Sequence, residues 1–187
     1  MNYQIQLTGS GGQGLILAGI ILAEAAIRQG KNSVQTQSYG PEARGGSSKA
    51  EVIISDDEID FPKVDRSDFC IAMTQEACDK YAEILKEDGV LIVDSTYVYN
   101  TSHVKAKVYS LPITQMAKEK LGKEVVANMV ALGVFIGITH LVSNEIVEKT
   151  MLGKVPESTH SLNQQALALG LMAAQQVLGR RTTNVRS

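Results

Sequence analysis

The sequence predicts an α/β domain: a mixed, mostly parallel sheet within a three-layer arrangement, followed by a helical C-terminal part. Three observations predict it. Short apolar runs of strand character alternate with helical segments as far as Leu121. A glycine-rich turn, Gly9-Ser10-Gly11-Gly12-Gln13-Gly14, joins the first strand to the first helix. From Glu124 onward the pattern is helical only. A chain of 187 residues suits one domain, with an α/β core over residues 1–122, a helical part over 123–178 and a tail over 179–187 that is expected to be mobile.

Tyr3, Ile5 and Leu7 alternate with polar residues and read as a strand that Gly9 ends. Leu15 to Ile27 is rich in Leu, Ile and Ala, without proline, and reads as a helix. Glycines at the first and third positions of the turn let the chain reverse sharply, and Gly14 lets helix and strand lie close. The backbone N–H groups gathered there, with the positive end of the helix dipole, form either an anion site or simply a tight turn. A dinucleotide fingerprint also needs an acid at the end of the second strand. That strand, Ser33 to Gln37, runs into Ser38-Tyr39 without one.

The next stretch, Ser38-Tyr39-Gly40-Pro41-Glu42-Ala43-Arg44-Gly45-Gly46-Ser47-Ser48, lies at the carboxyl edge of strand two, beside the glycine turn, where open α/β sheets bind ligands. Arg44 offers a forked donor to a carboxylate or phosphate, and Glu42 a partner for a base. An exposed turn with ordinary glycine geometry is the alternative.

Lys49 to Ser55 reads as a strand suited to an antiparallel neighbour, and Phe69 to Met73 as a short buried strand ending in Thr74-Gln75 at the ligand edge. Glu76 to Leu85 reads as helix, and Gly89 precedes a strand Val90 to Val93 that ends in Asp94-Ser95. Asp94 either binds a ligand hydroxyl or caps the loop that follows. A strand Lys107 to Leu111 and a helix Ile113 to Leu121 complete the α/β part. Helices then follow over Val126–His140, Asn144–Met151 and Leu162–Leu178. Ala166, Gly170, Ala173 and Ala174 keep one side of the last helix narrow enough for close contact with another helix or chain.

A net charge of −2 provides no basic stripe for nucleic acid. The N-terminus lacks secretory-signal features, and the longest apolar stretch, Met129 to Val142, is too short to span a bilayer. The cytoplasm is the expected location. The two cysteines, Cys70 and Cys78, form no CxxC pair, so neither an iron–sulfur cluster nor a structural zinc site is expected; Cys70 reads as a core residue. His103, His140 and His160 are scattered, and His140, inside an apolar helix, reads as buried. No catalytic residues and no metal ligands emerge. A ligand edge without an acid, base or nucleophile set suggests part of a larger enzyme.

Taken together, the GxGGQG turn, the SYGPEARGG loop, Asp94-Ser95 and Asn128-Met129-Val130-Ala131-Leu132-Gly133 resemble the gamma subunit of 2-oxoacid:ferredoxin oxidoreductases over nearly the whole chain. The wording of the loop, with Ala43 and Gly45-Gly46 before Ser47-Ser48, is similar to the 2-oxoglutarate branch rather than the pyruvate branch. The resemblance implies a Rossmann-like domain in a complex that converts a 2-oxoacid and coenzyme A into acyl-CoA and carbon dioxide, with electrons passing to ferredoxin or flavodoxin. It implies thiamine diphosphate with magnesium and [4Fe–4S] clusters, held by partner subunits (alpha, beta and delta) because this chain lacks their motifs. Gly9, Gly11, Gly12, Gln13, Gly14 and Arg44 become candidate contacts for coenzyme A phosphates. Ser38, Tyr39, Gly40, Pro41, Glu42, Gly45, Gly46, Thr74, Gln75, Asp94, Ser95 and Asn128 become interface or ligand-loop residues. An independent nucleotide- or flavin-binding module, or a subunit of the pyruvate or branched-chain branch, is the alternative reading.

Overall fold

The computed structural model describes residues 1–39 and 46–184. Among them, β1 (Asn2–Ser10), β2 (Asn32–Tyr39), β3 (Ser47–Ser55), β4 (Ser67–Ala72), β5 (Leu85–Asp94) and β6 (Lys107–Leu111) form one sheet in the order β2-β3-β1-β4-β5-β6. β1, β4, β5 and β6 run parallel, and β3 lies antiparallel between β2 and β1. The predicted mixed, mostly parallel sheet is therefore present, and β3 supplies its antiparallel strand.

Strand alternation divides the core in two. Ile5, Leu7, Ala50, Val52, Ile54, Ile71 and Ile92 face a large cluster built with α1 (Leu15–Arg28), α3 (Ile113–Leu121), α4 (Ala127–Thr139), α5 (Asn144–Leu152) and α6 (His160–Asn184). Cys70, Ala72, Leu91 and Val93 face a smaller cluster with Cys78 of α2 (Gln75–Tyr81) and Val98 and Ala106 of the loop after β5. Among the described residues, helices thus cover both faces unevenly, with α2 the one α-helix on the side of the smaller cluster.

Several elements depart from the sequence expectation. Helix α2 ends at Tyr81 and tightens into a 3₁₀ turn over Ala82–Ile84, where Glu76 to Leu85 had suggested one helix. β5 starts at Leu85, and Gly89 lies within it. Ser67 pairs with Leu85 but Phe69 with Val90, so residues 86–89 bulge out of register. Gly89 closes that excursion because a β-carbon there would meet the Asp68 and Lys86 carbonyls at 2.8 and 2.9 Å. His140 is exposed rather than buried: it ends α4 in the left-handed region at φ 52°. Helix α6 continues to Asn184, beyond the Leu178 limit and into the expected tail, since nothing after Leu178 breaks it.

The narrow side of α6 packs on α4. A β-carbon on Gly170 would meet the Val130 carbonyl at 2.1 Å, and one on Gly137 would meet the Ala174 β-carbon at 2.6 Å. α4 is buried nearly all round, from Ala127 to Gly137. No helix among the described residues is long and apolar enough to cross a membrane.

Candidate functional site

The glycine turn closes β1 and starts α1, and its conformation follows from its contacts. Gly12 and Gly14 sit at φ 87° and 72°, where glycine carries no side-chain penalty. The Gln13 side chain folds back so that its Oε1 accepts the Ser10 amide at 2.8 Å. It occupies the place of a Gly9 β-carbon, which would lie 2.2 Å from that oxygen. Gly14 is overlaid by Asn128 from the start of α4: Nδ2 donates to the Gly14 carbonyl at 3.1 Å and would lie 2.4 Å from a Gly14 β-carbon. The Gly11 amide donates to the Gly46 carbonyl at 2.9 Å, tying the turn to the loop before β3. That contact extends the β1–β3 ladder, whose last pair is Ser10 with Ser47.

These bonds divide the predicted anion site. Gly9 and Gly14 are closely overlaid by Gln13 and Asn128, and the Gly11 and Gln13 backbone amides are spent inside the protein, on the Gly46 and Ser10 carbonyls. Among the described residues, no backbone bond engages the Gly12 amide, and Gly12 lines the cleft beside it.

That cleft, of about 420 Å³, is bordered by Ser10, Gly12 and Gln13 after β1, Met73 and Thr74 after β4, and Tyr97 after β5. Thr114 of α3, Glu124, Val125 and Ala127 close it. α1 and α2 lie on opposite faces of the sheet, so the crevice between the carboxyl ends of β1 and β4 is a topological switch point, the usual ligand position in open α/β sheets. Its volume is ordinary for a ligand pocket, within about 300–1,000 Å³. The carboxylate of Glu124 is balanced by Lys118 at 3.0 Å. Val125 is an apolar side chain left 72% exposed at the rim.

The other predicted residues separate by role. The Thr74 hydroxyl caps α2 by accepting the Ala77 amide and also reaches the cleft. Gln75 is committed to the loop after β5: its Oε1 accepts the Tyr99 and Asn100 amides, and its Nε2 donates to Asp79 and to the Asn100 carbonyl. Asp94 is fully buried. Its Oδ2 accepts the Thr114 hydroxyl at 2.5 Å and amide at 3.2 Å, and its Oδ1 accepts the Thr96 amide at 3.0 Å. Of the two readings of Asp94, the geometry fits the loop cap. Ser95 is exposed and ties back through its amide to the Leu111 carbonyl. Ser38 is exposed on β2. Gly40, Pro41, Glu42, Arg44 and Gly45 lie outside the described residues.

The sequence reading missed Met73, Tyr97, Thr114, Glu124 and Val125. The signal in the sequence for Tyr97 is its place just after the strand ending in Asp94, and for Val125 its place where the pattern turns helical. Cys70 is in the core as expected: burial pushes its thiol up to about 12, and burial likewise pushes Cys78 to about 11.

Comparison with known proteins places this geometry. Residues 4–173 match the family described as pyruvate ferredoxin/flavodoxin oxidoreductase. The chain is 46% identical to the 2-oxoglutarate synthase subunit KorC of Methanocaldococcus jannaschii, over 95% of this chain and 96% of that protein. It is 34% identical to the pyruvate synthase subunit PorC of Methanothermobacter marburgensis, over 81% and 88% of the two chains. In structure it is similar to the gamma subunit of a keto/oxoacid ferredoxin oxidoreductase from Geobacter sulfurreducens, with a TM-score of 0.87 and 48% identity over 95% of this chain and 98% of that one. The chain therefore belongs to the pyruvate ferredoxin/flavodoxin oxidoreductase family.

Proposed function

We propose that the chain is the gamma subunit of a 2-oxoglutarate:ferredoxin oxidoreductase, and that its switch-point cleft receives part of coenzyme A where the chain meets its partner subunits. The similarity that supports the branch is graded: 46% identity to a 2-oxoglutarate synthase subunit against 34% to a pyruvate synthase subunit. The observation that carries the role of the cleft is the glycine turn at its edge: Gly12 lines it, and no backbone bond among the described residues engages the Gly12 amide.

The donors fit a phosphate in part. The Gly12 amide and the amino end of α1 supply partial positive charge, and the side-chain Nε2 of Gln13 makes no hydrogen bond among the described residues, while the Gln13 backbone amide donates to the Ser10 carbonyl at 3.3 Å. In sequence, Arg44 stands two residues before Gly46. The chemistry of decarboxylation and electron transfer is supplied by thiamine diphosphate and [4Fe–4S] clusters on the partner alpha, beta and delta subunits. This chain's own residues bind, orient and exclude water. Buried Asp94 fixes the first turn of α3, and Asn128 fixes the turn, so the cleft walls are preorganised.

The test is purification of the tagged chain from its native cells, followed by assay of coenzyme A-dependent reduction of ferredoxin with 2-oxoglutarate, pyruvate and 3-methyl-2-oxobutanoate. Co-purification of cluster-bearing subunits with preference for 2-oxoglutarate supports the reading. Elution alone with a bound nucleotide or flavin overturns it, and preference for pyruvate overturns the branch.

A further inference from the structure

On the far side of the sheet from α1, three chemically different ligand groups converge. The Sγ of Cys78, a carboxylate oxygen of Asp79 and a ring nitrogen of His103 all lie within 4.8 Å of one another. Cys78 and Asp79 come from α2, and His103 from the loop between β5 and β6. We propose that these three residues form a binding site for a zinc-class divalent cation.

The separation of Asp79 Oδ1 and His103 Nε2, 3.6 Å, is close to the edge of a tetrahedron whose ligands stand about 2.0–2.1 Å from the metal. The donor set, thiolate with imidazole and carboxylate, selects zinc and its neighbours over magnesium or calcium. Both halves of the site are held before any ion arrives. The Gln75 Nε2 donates to Asp79 Oδ1 at 2.7 Å, and the Oε1 of the same side chain fixes the amides of Tyr99 and Asn100. Asn100 in turn accepts the amide and hydroxyl of Ser102, beside His103. A residue that orients one ligand while anchoring the loop of another acts as the outer support that metal sites use.

Cys78 is enclosed by the apolar cluster of Leu85, Val98 and Ala106, while Asp79 and His103 are exposed. The ion would enter from solvent and sit where the cluster meets water. On binding, the metal–sulfur bond replaces the Cys78 S–H bond and the proton leaves to solvent. Water completes the fourth position. An ion there would pin α2 to the loop that carries Tyr97 of the cleft. The distance in sequence between Cys78 and His103 hides the site from any spacing pattern.

The full chain, stripped with EDTA, is titrated with Co²⁺ and the Co²⁺ then displaced by Zn²⁺. One equivalent, with a thiolate-to-cobalt charge-transfer band and the intense visible bands of tetrahedral cobalt, is expected. Cys78→Ser should abolish the charge-transfer band. His103→Ala, at an exposed position, should weaken binding at least tenfold without unfolding the chain. Gln75→Ala should weaken it by about 10-fold. Absence of the band, or affinity unchanged in His103→Ala, overturns the proposal.

Discussion

Gly133 and Gly170 face each other across α4 and α6. A β-carbon on Gly133 would stand 3.1 Å from the Gly170 Cα, and one on Gly170 would stand 2.9 Å from the Gly133 Cα. Backbone meets backbone here, so no rotamer change relieves an added methyl group. Gly170→Ala is expected to destabilise by about 2 kcal/mol after the helix-propensity gain of about 1 kcal/mol is subtracted. That lowers Tm by roughly 4–8 °C for a chain of this size. Gly179→Ala, where an added β-carbon meets nothing within 4 Å, should leave Tm unchanged or raise it. Thermal melts of the pair check the contrast.

Asp94→Ala is expected to cost about 3 kcal/mol, read as a lowered urea midpoint. It strands the buried hydroxyl and amide of Thr114, and also removes the acceptor of the more exposed Thr96 amide. Asp94→Asn should recover part of the loss, because one oxygen remains to accept.

Gly14→Ala combines left-handed strain of about 1–2 kcal/mol with the Asn128 overlap at 2.4 Å. In an Asn128→Ala background only the strain remains, so the same substitution should cost about 1 kcal/mol less there. A double-mutant cycle from denaturant unfolding measures that coupling.

The raised thiols fix a pH dependence. Between the ordinary thiol value of 9.0 and the folded values of about 11 and 12, the unfolded chain has released protons that the folded chain keeps. Stability present below pH 9 is therefore lost as pH rises toward these values. The slope is at most about 1.4 kcal/mol per pH unit for each thiol. Cys70→Ala should remove the Cys70 share of that slope and leave the Cys78 share. In metal-free native protein at pH 8, a thiol reagent should label neither cysteine rapidly, and both after unfolding.

Much of this was legible in the sequence, and the rest was hidden for physical reasons. Ile5 and Leu7, or Ile71 and Ile92, announce their strands because the pleat sorts side chains between two faces. The start of β5 was not legible, since Lys86-Glu87-Asp88-Gly89 has a loop's composition and sits in a strand only as a bulge. The glycines of the turn were legible as a turn, but not their division of labour. That division depends on a side chain folding back from Gln13 and on a carbonyl from Gly46. Tyr97 and Val125 reach the cleft through topology, by segments far apart in the chain.

Helix α4 has almost no face suited to water, and much of what covers it arrives after it, on α6. A chain emerging from the ribosome therefore exposes an adhesive helix until α6 emerges. The sheet can pair strand by strand during synthesis, but the helical part closes only after α6 has emerged. Premature termination before His160 would yield a protein whose fate is capture by chaperones or aggregation, not a shorter working subunit.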